Sequence, residues 1–172
     1  MKKLLGIALS SLLVMGLAAC SADSEDVSTG EKTKTEKTQT TKAEDGKKIA
    51  INKEFNVNGL KVKIGEMKLK KNKVVVGMTV KNTTKDKLSF FPDQGNVVIG
   101  NLQLDADLFN GKGNVGGDIQ AGVSKSGVVE YAVPDGKSLD VDKVKEVQLH
   151  FGDIFNEKSM DAKPFDQVIK LK

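Results

Sequence analysis

Few side chains in this chain are equipped for chemistry. One cysteine, Cys20, and one histidine, His150, stand among 172 residues. A single thiol cannot close an internal disulfide, and a single imidazole falls short of the two or three that histidine-based zinc sites use. His150 lies between Leu149 and Phe151; on a strand it points away from both, toward solvent. Ser124 and Ser126 have no histidine near them in sequence and fall in a turn-like stretch. Asp105, Asp107, Asn110 and Asp118 invite a test as a calcium loop. Such a loop needs Asp or Asn at its fifth position and Gly at its sixth. Counting from Asp105, those positions hold Phe109 and Asn110, so the pattern fails. A site built from carbonyls is left open by the spacing, and a polar loop is the simpler reading. No nucleophile elbow, phosphate loop or Cys/His metal spacing occurs. The residues therefore predict no catalytic group, no metal and no cofactor, and a protein that is not an enzyme.

Charge is the second kind of chemistry. All 27 basic residues are lysine. Arginine, the usual partner of base edges and phosphates in fork geometry, is missing, which argues against nucleic acid despite a pI near 9.0. Residues 47–88 hold 12 Lys against three acids, a net of +9, and residues 89–172 hold nine Lys against 13 acids, a net of −4. Lys61, Lys63, Lys68 and Lys70 alternate with apolar residues, so each pair shares the outward face of its strand. Two readings of that face stand side by side. One is a solvated surface whose lysines block edge aggregation. The other is a dock for anionic lipid or wall polymer, held by point-charge attraction. Phe90-Phe91-Pro92 and Phe109 mark a further candidate. Neighbouring residues on a strand face opposite ways, so Phe91 and Phe109 are candidate anchors for a protein partner.

The lone thiol finds a use at the N-terminus. Met1-Lys2-Lys3 is a positive start, and Leu4 to Leu17 is a 14-residue run of apolar, Gly and Ser residues. That is shorter than the roughly 20 residues of a spanning helix and suits a signal peptide. Leu17-Ala18-Ala19-Cys20 resembles the bacterial lipobox, in which a Leu and two small residues precede a Cys. The resemblance implies that a peptidase recognises Leu17, Ala18 and Ala19, that Cys20 receives a diacylglyceryl group, and that Cys20 becomes the N-terminus of a membrane-anchored, extracytoplasmic protein. Two acyl chains give stable anchoring where one does not. Residues 1–19 are thus expected to be a signal peptide. Residues 20–46 follow as a lipidated Cys and a disordered tether. From 21 to 46 there are four Lys, seven acids and one large aliphatic residue, Val27, too little apolar surface to offset chain entropy.

The elements that must position these side chains begin at Lys47. Phe55 and Val57 alternate with polar residues and meet the turn pair Asn58-Gly59. Leu60, Val62 and Ile64, then Met67 and Leu69, then Val74, Val76, Met78 and Val80 repeat the period of two. Leu88–Phe91 reads as a short strand closed by Pro92. Gly100-Asn101 joins two more, Asp105–Gly117 reads as loop, and strands follow at Gly127–Val133, Val147–Phe151 and Phe165–Leu171. A short helix is expected near Leu139–Val144. Many short strands and no long amphipathic helix predict an all-β antiparallel sandwich over 47–172.

Four pieces in order, VVVGMTVKNTTKDKLSF, LQLDADLF, IQAGVSKSGVVEYAVP and VKEVQLHF, resemble the immunoglobulin-like domain of unknown function common in Gram-positive lipoproteins, related in fold to telokin-like and immunoprotective extracellular proteins. The matching positions are Val80-Lys81-Asn82, Gly122, Gly127 and Val133-Pro134. They are structural and bring no active site. The resemblance implies an immunoglobulin-like sandwich that serves as a non-catalytic binding or interaction module at the cell envelope. Its binding surface is the lysine face or, alternatively, an edge or loop that contacts a membrane or surface protein.

Overall fold

Alternating apolar and polar residues oblige each strand to bury one face, and two such faces close on each other. The computed structural model describes residues 27–30, 42–43, 46–109, 112–113 and 115–171. The strands are β1 (Lys42–Ala43), β2 (Gly46–Val57), β3 (Leu60–Leu69), β4 (Lys73–Asn82), β5 (Leu88–Phe90), β6 (Asn96–Ile99), β7 (Leu102–Ala106), β8 (Lys112–Gly113), β9 (Gly117–Ile119), β10 (Ser124–Ala132), β11 (Glu146–Asn156) and β12 (Asp161–Lys170). All pairings among them are antiparallel.

One hydrogen-bonded path runs β1-β2-β3-β4-β10-β7-β6-β11-β5-β9, with β12 beside β11 and β8 beside β10. The path folds over at β10–β7, which pair only through Tyr131–Ala106 and Ala132–Asp105. β2, β3, β4 and β10 form one layer, and β7, β6, β11 and β12 form the other. This is the all-β sandwich that the sequence predicts. Its core holds Leu60, Val62, Ile64, Met67, Leu69, Val74, Val76, Met78 and Val80 from one layer, and Val147, Leu149, Phe151, Ile154, Phe165 and Ile169 from the other.

Turns fall where their residues require. Asn58 and Gly59 have φ of 48° and 80°, the paired positive values of a two-residue hairpin. The Asn58 amide also donates to the Ile154 carbonyl at 2.9 Å, tying this tip to the other layer. Pro92–Gln94 makes a 3-10 turn after β5. The buried Tyr131 hydroxyl donates to the Pro92 carbonyl at 2.8 Å, and burial, then the nearby Asp93 charge, push this phenol well above its usual pKa.

Three expectations fail locally, one of them the turn read at Ser124 and Ser126, which lie on β10. No helix forms over Leu139–Val144. Leu139 and Val144 are both buried in the core, and a turn at Val141–Lys143 lies between these two anchors, closed by the Lys143 amide on the Asp140 carbonyl at 3.0 Å. The stretch Asp105–Gly117 is not all loop: Asp105 and Ala106 end β7, and Lys112–Gly113 pair with β10.

Asn82 organises the end of β4. Its side-chain amide donates to the Asp86 carbonyl at 2.7 Å and the Ile119 carbonyl at 2.9 Å, and its oxygen accepts from the amide and hydroxyl of Thr84, both at 2.8 Å. The residue is fully buried. Asn82→Ala strands these partners, so urea denaturation is expected to show a loss of roughly 2–4 kcal/mol. A loss below about 0.5 kcal/mol contradicts this role.

Candidate functional site

The outward face of β2-β3-β4 is the basic one. Along β3 the side chains of Leu60, Val62 and Ile64 are buried, and Lys61 and Lys63 stand on the opposite face. An extra residue would swap the faces, but the register against β4 slips between Ile64 and Met67. Met67 and Leu69 therefore stay inside and Lys68 stays outside. Lys61, Lys63 and Lys68 thus share one face, and Lys70 follows at the strand's end. Lys61 pairs with Glu54 at 3.0 Å and Lys48 with Glu66 at 3.1 Å. Lys73 pairs at 2.9 Å with the nearly buried Glu130. Lys68 and Lys70 also have partners. These pairs leave a large excess: residues 47–82 carry ten Lys against Glu54 and Glu66, a net of +8. The β11–β12 hairpin on the other layer, residues 146–170, carries three Lys against five acids, a net of −2.

A second feature lies on the same face. Val27–Gly30, inside the stretch read as a disordered tether, rest on β3 and β4. The Glu66 amide donates to the Ser28 carbonyl at 3.0 Å, and the Ser28 amide donates to the Glu66 carboxylate at 2.8 Å. The Thr79 hydroxyl donates to the Thr29 carbonyl at 3.1 Å, and the Lys63 ammonium to the Gly30 carbonyl at 2.6 Å. Val27 is buried. So is Val75, which lies outside the main core. The expectation of disorder is corrected at these four residues. Lys42–Ala43 of the same stretch pair with β2. Gly46 opens β2, and the rest of it, with Cys20 and residues Leu17, Ala18 and Ala19, lies outside the described residues.

Two glycines clear the lane. Gly65 and Gly77 sit in the β3–β4 slip, between the pairs Ile64–Met78 and Met67–Val76. A methyl group on Gly65 would overlap the Ser28 carbonyl and the Gly30 amide, and one on Gly77 would lie 2.5 Å from the Ser28 carbonyl oxygen and 3.0 Å from a Val27 methyl. Burying Val27 contributes about 2 kcal/mol, and the four hydrogen bonds about 1 kcal/mol each. Ordering four residues costs roughly 1–2 kcal/mol each. Docking is near balance. Sequence reading missed this feature, although signals were present: Val27 is the one large aliphatic residue of its stretch, and glycine inside a strand marks close backbone approach.

The remaining candidates lie apart. Phe90 is buried and Phe91 is 41% exposed, as opposite faces require; Phe109 is 94% exposed beside Leu108 at 61%. Phe91 precedes the 3-10 turn and Phe109 follows β7, so they belong to separate loops. His150 pairs with Asp166 across β11–β12 at 2.8 Å. Ser126 meets Thr79 at 2.9 Å. The carboxylates tested for calcium are dispersed: Asp105 accepts from Gln103 at 2.9 Å, and Asp118 belongs to another cluster. Among the described residues no three of His, Cys, Asp and Glu gather as a metal site.

No protein-family model matches the chain, and no curated protein matches it in sequence. Solved structures similar to it include a functionally unknown protein from Listeria monocytogenes EGD-e, 11% identical, TM-score 0.48, covering 74% of this chain and 83% of that one. The yjhA protein from Bacillus subtilis is 13% identical with TM-score 0.46, covering 72% and 98%. A conserved hypothetical protein from Bacillus anthracis is 14% identical with TM-score 0.47, covering 72% and 99%. Likeness at this level assigns no function.

Asp118 sits on β9, where it accepts from the Ser89 hydroxyl at 2.9 Å and pairs with Lys87 at 3.1 Å. The Ser89 bond first, then Lys87, hold its carboxyl below the usual Asp value. Bonds to Glu157 and then Asp118 raise Lys87. A folded value below the unfolded one means stabilisation present above the ordinary Asp range and lost as pH falls through the lowered value. Carbon-13 titration is expected to place Asp118 below free Asp, and Ser89→Ala to move it upward. An unmoved value in Ser89→Ala contradicts the assignment.

Proposed function

We propose that the chain is a lipid-anchored, extracytoplasmic binding module, without catalysis of its own, whose basic layer docks anionic lipid or wall polymer at the cell envelope. The observation that carries this reading is the segregation of charge by layer. A net of +8 lies on β2–β4 and its turns, against −2 on the β11–β12 hairpin. A hydrogen bond to a carbonyl, such as that of Lys63 on Gly30, leaves the lysine charge intact. Long-range attraction depends on that net excess more than on any one pair. Lysine without arginine favours diffuse attraction to a charged surface over recognition of one shaped ligand. The anchor rests on Leu17-Ala18-Ala19-Cys20 after an apolar run.

A second reading has an observation of its own. Phe109 and Leu108 stand out from the loop after β7, and an exposed aromatic–aliphatic pair is what a protein partner buries. In this reading the chain is an accessory subunit of a membrane or surface protein, held through Phe109 and Phe91.

One experiment separates the two. Residues 21–172, without lipid, are sedimented with envelope fragments and with phosphatidylglycerol vesicles at low and high salt. The basic-layer reading expects binding at low salt, release at high salt, and at least about tenfold weakening in Lys61→Glu/Lys68→Glu, since each lysine near an anionic surface is worth about 1 kcal/mol. Envelope binding that ignores salt and disappears in Phe109→Ala overturns that reading in favour of the protein partner.

A further inference from the structure

Val27 lies seven residues past Cys20. We propose that Val27–Gly30 is a strap that fastens the N-terminal arm to the basic layer and so turns that layer toward the bilayer. The strap itself stands on its contacts; the bilayer half rests on the lipid-anchor reading above.

The contacts have the marks of a built site. Gly65 and Gly77 give the strap a lane that a methyl group on either would block. The strap's carbonyls at Ser28, Thr29 and Gly30 each meet a donor, from Glu66, Thr79 and Lys63. The one large aliphatic side chain between residues 21 and 46 is the one buried there. Charge acts in the same sense. In sequence, Asp23, Glu25 and Asp26 precede the strap with no lysine among them, and residues 47–82 carry +8.

The consequence is one of reach. Seven residues span at most about 25 Å. Were the chain first fastened at Lys42, where β1 pairs with β2, the 21 residues from 21 to 41 could extend to about 75 Å. With the strap docked, residues 31–41 add nothing to the reach, because the chain is already held at Val27–Gly30. The attachment point is the middle of the β3–β4 outer face. That face, rather than the acidic β11–β12 layer, is the one held beside the lipid headgroups.

The test uses the full lipidated chain with Val27→Asp and Gly77→Ala. The first leaves the sheet untouched, so it decides the matter if the second fails to fold. Hydrogen exchange at the Glu66 amide, in detergent micelles, is expected to quicken about twofold or more in both variants, because a strap near balance protects that amide in its docked fraction. On supported phosphatidylcholine bilayers, neutron reflectometry is expected to place the domain about 10 Å farther out in the variants, the difference in coil reach between the two arm lengths. Exchange at Glu66 that is the same in wild type and both variants overturns the strap. Faster exchange with no change in standoff overturns its orienting role. Retention of a Cys20→Ala chain on the bilayer overturns the anchor reading, and the exchange data still decide the strap.

Discussion

Four rings hold the two layers of this sandwich together. Tyr131 of β10 stacks on Phe151 of β11 at 5.5 Å, and Phe151 on Phe165 of β12 at 5.4 Å, each pair within 6° of parallel. Phe55 of β2 meets Phe165 edge-on at 5.7 Å. Rings from both layers therefore pack in one continuous column, where large apolar area and ring geometry add. Because each strand gives its inward residues to this interior, its outward residues are free to follow another rule. On β3 that rule is charge: Lys61, Lys63 and Lys68 are the outward companions of Val62, Ile64 and Leu69.

The polarity of the molecule follows from chain order. The lysine-dense segment, residues 47–82, forms three successive strands joined by short turns, so it stays within one layer. The acid-richer β11–β12 hairpin falls in the other. A bulge in the first layer, needed to keep Met67 and Leu69 inside, coincides with the two glycines that admit Val27–Gly30. One irregularity thus serves both the interior and the outer face. Val27–Gly30 meet the lysine layer at this place.

Much of the fold was legible in the sequence. Asn58-Gly59 and Gly100-Asn101 named their turns, and the Val74–Val80 alternation named its strand, because period two and turn chemistry are local signals. The two layers followed from the number of strands. The Leu139–Val144 helix was misread because Val141 and Val144, three residues apart and both packed on the core, mimic a helical spacing. The strap was not legible as contact. Val27, Gly65 and Gly77 lie far apart in sequence, and only the folded sheet brings the two glycines together beneath the arm. The outward direction of Lys61, Lys63 and Lys68 was legible, but that they lie on one strand across a bulge, and that Glu54 and Glu66 pair with lysines of that face, depended on the strand register.

The account ties a basic layer to a bilayer through one modified cysteine. Mass spectrometry of the N-terminal peptide, from chain extracted out of the producing cell's membranes, tests that link most directly. The account predicts a peptide that begins at Cys20 and carries the mass of a diacylglyceryl group on its sulfur. A peptide that begins at another residue, or at Cys20 with a free thiol, contradicts it.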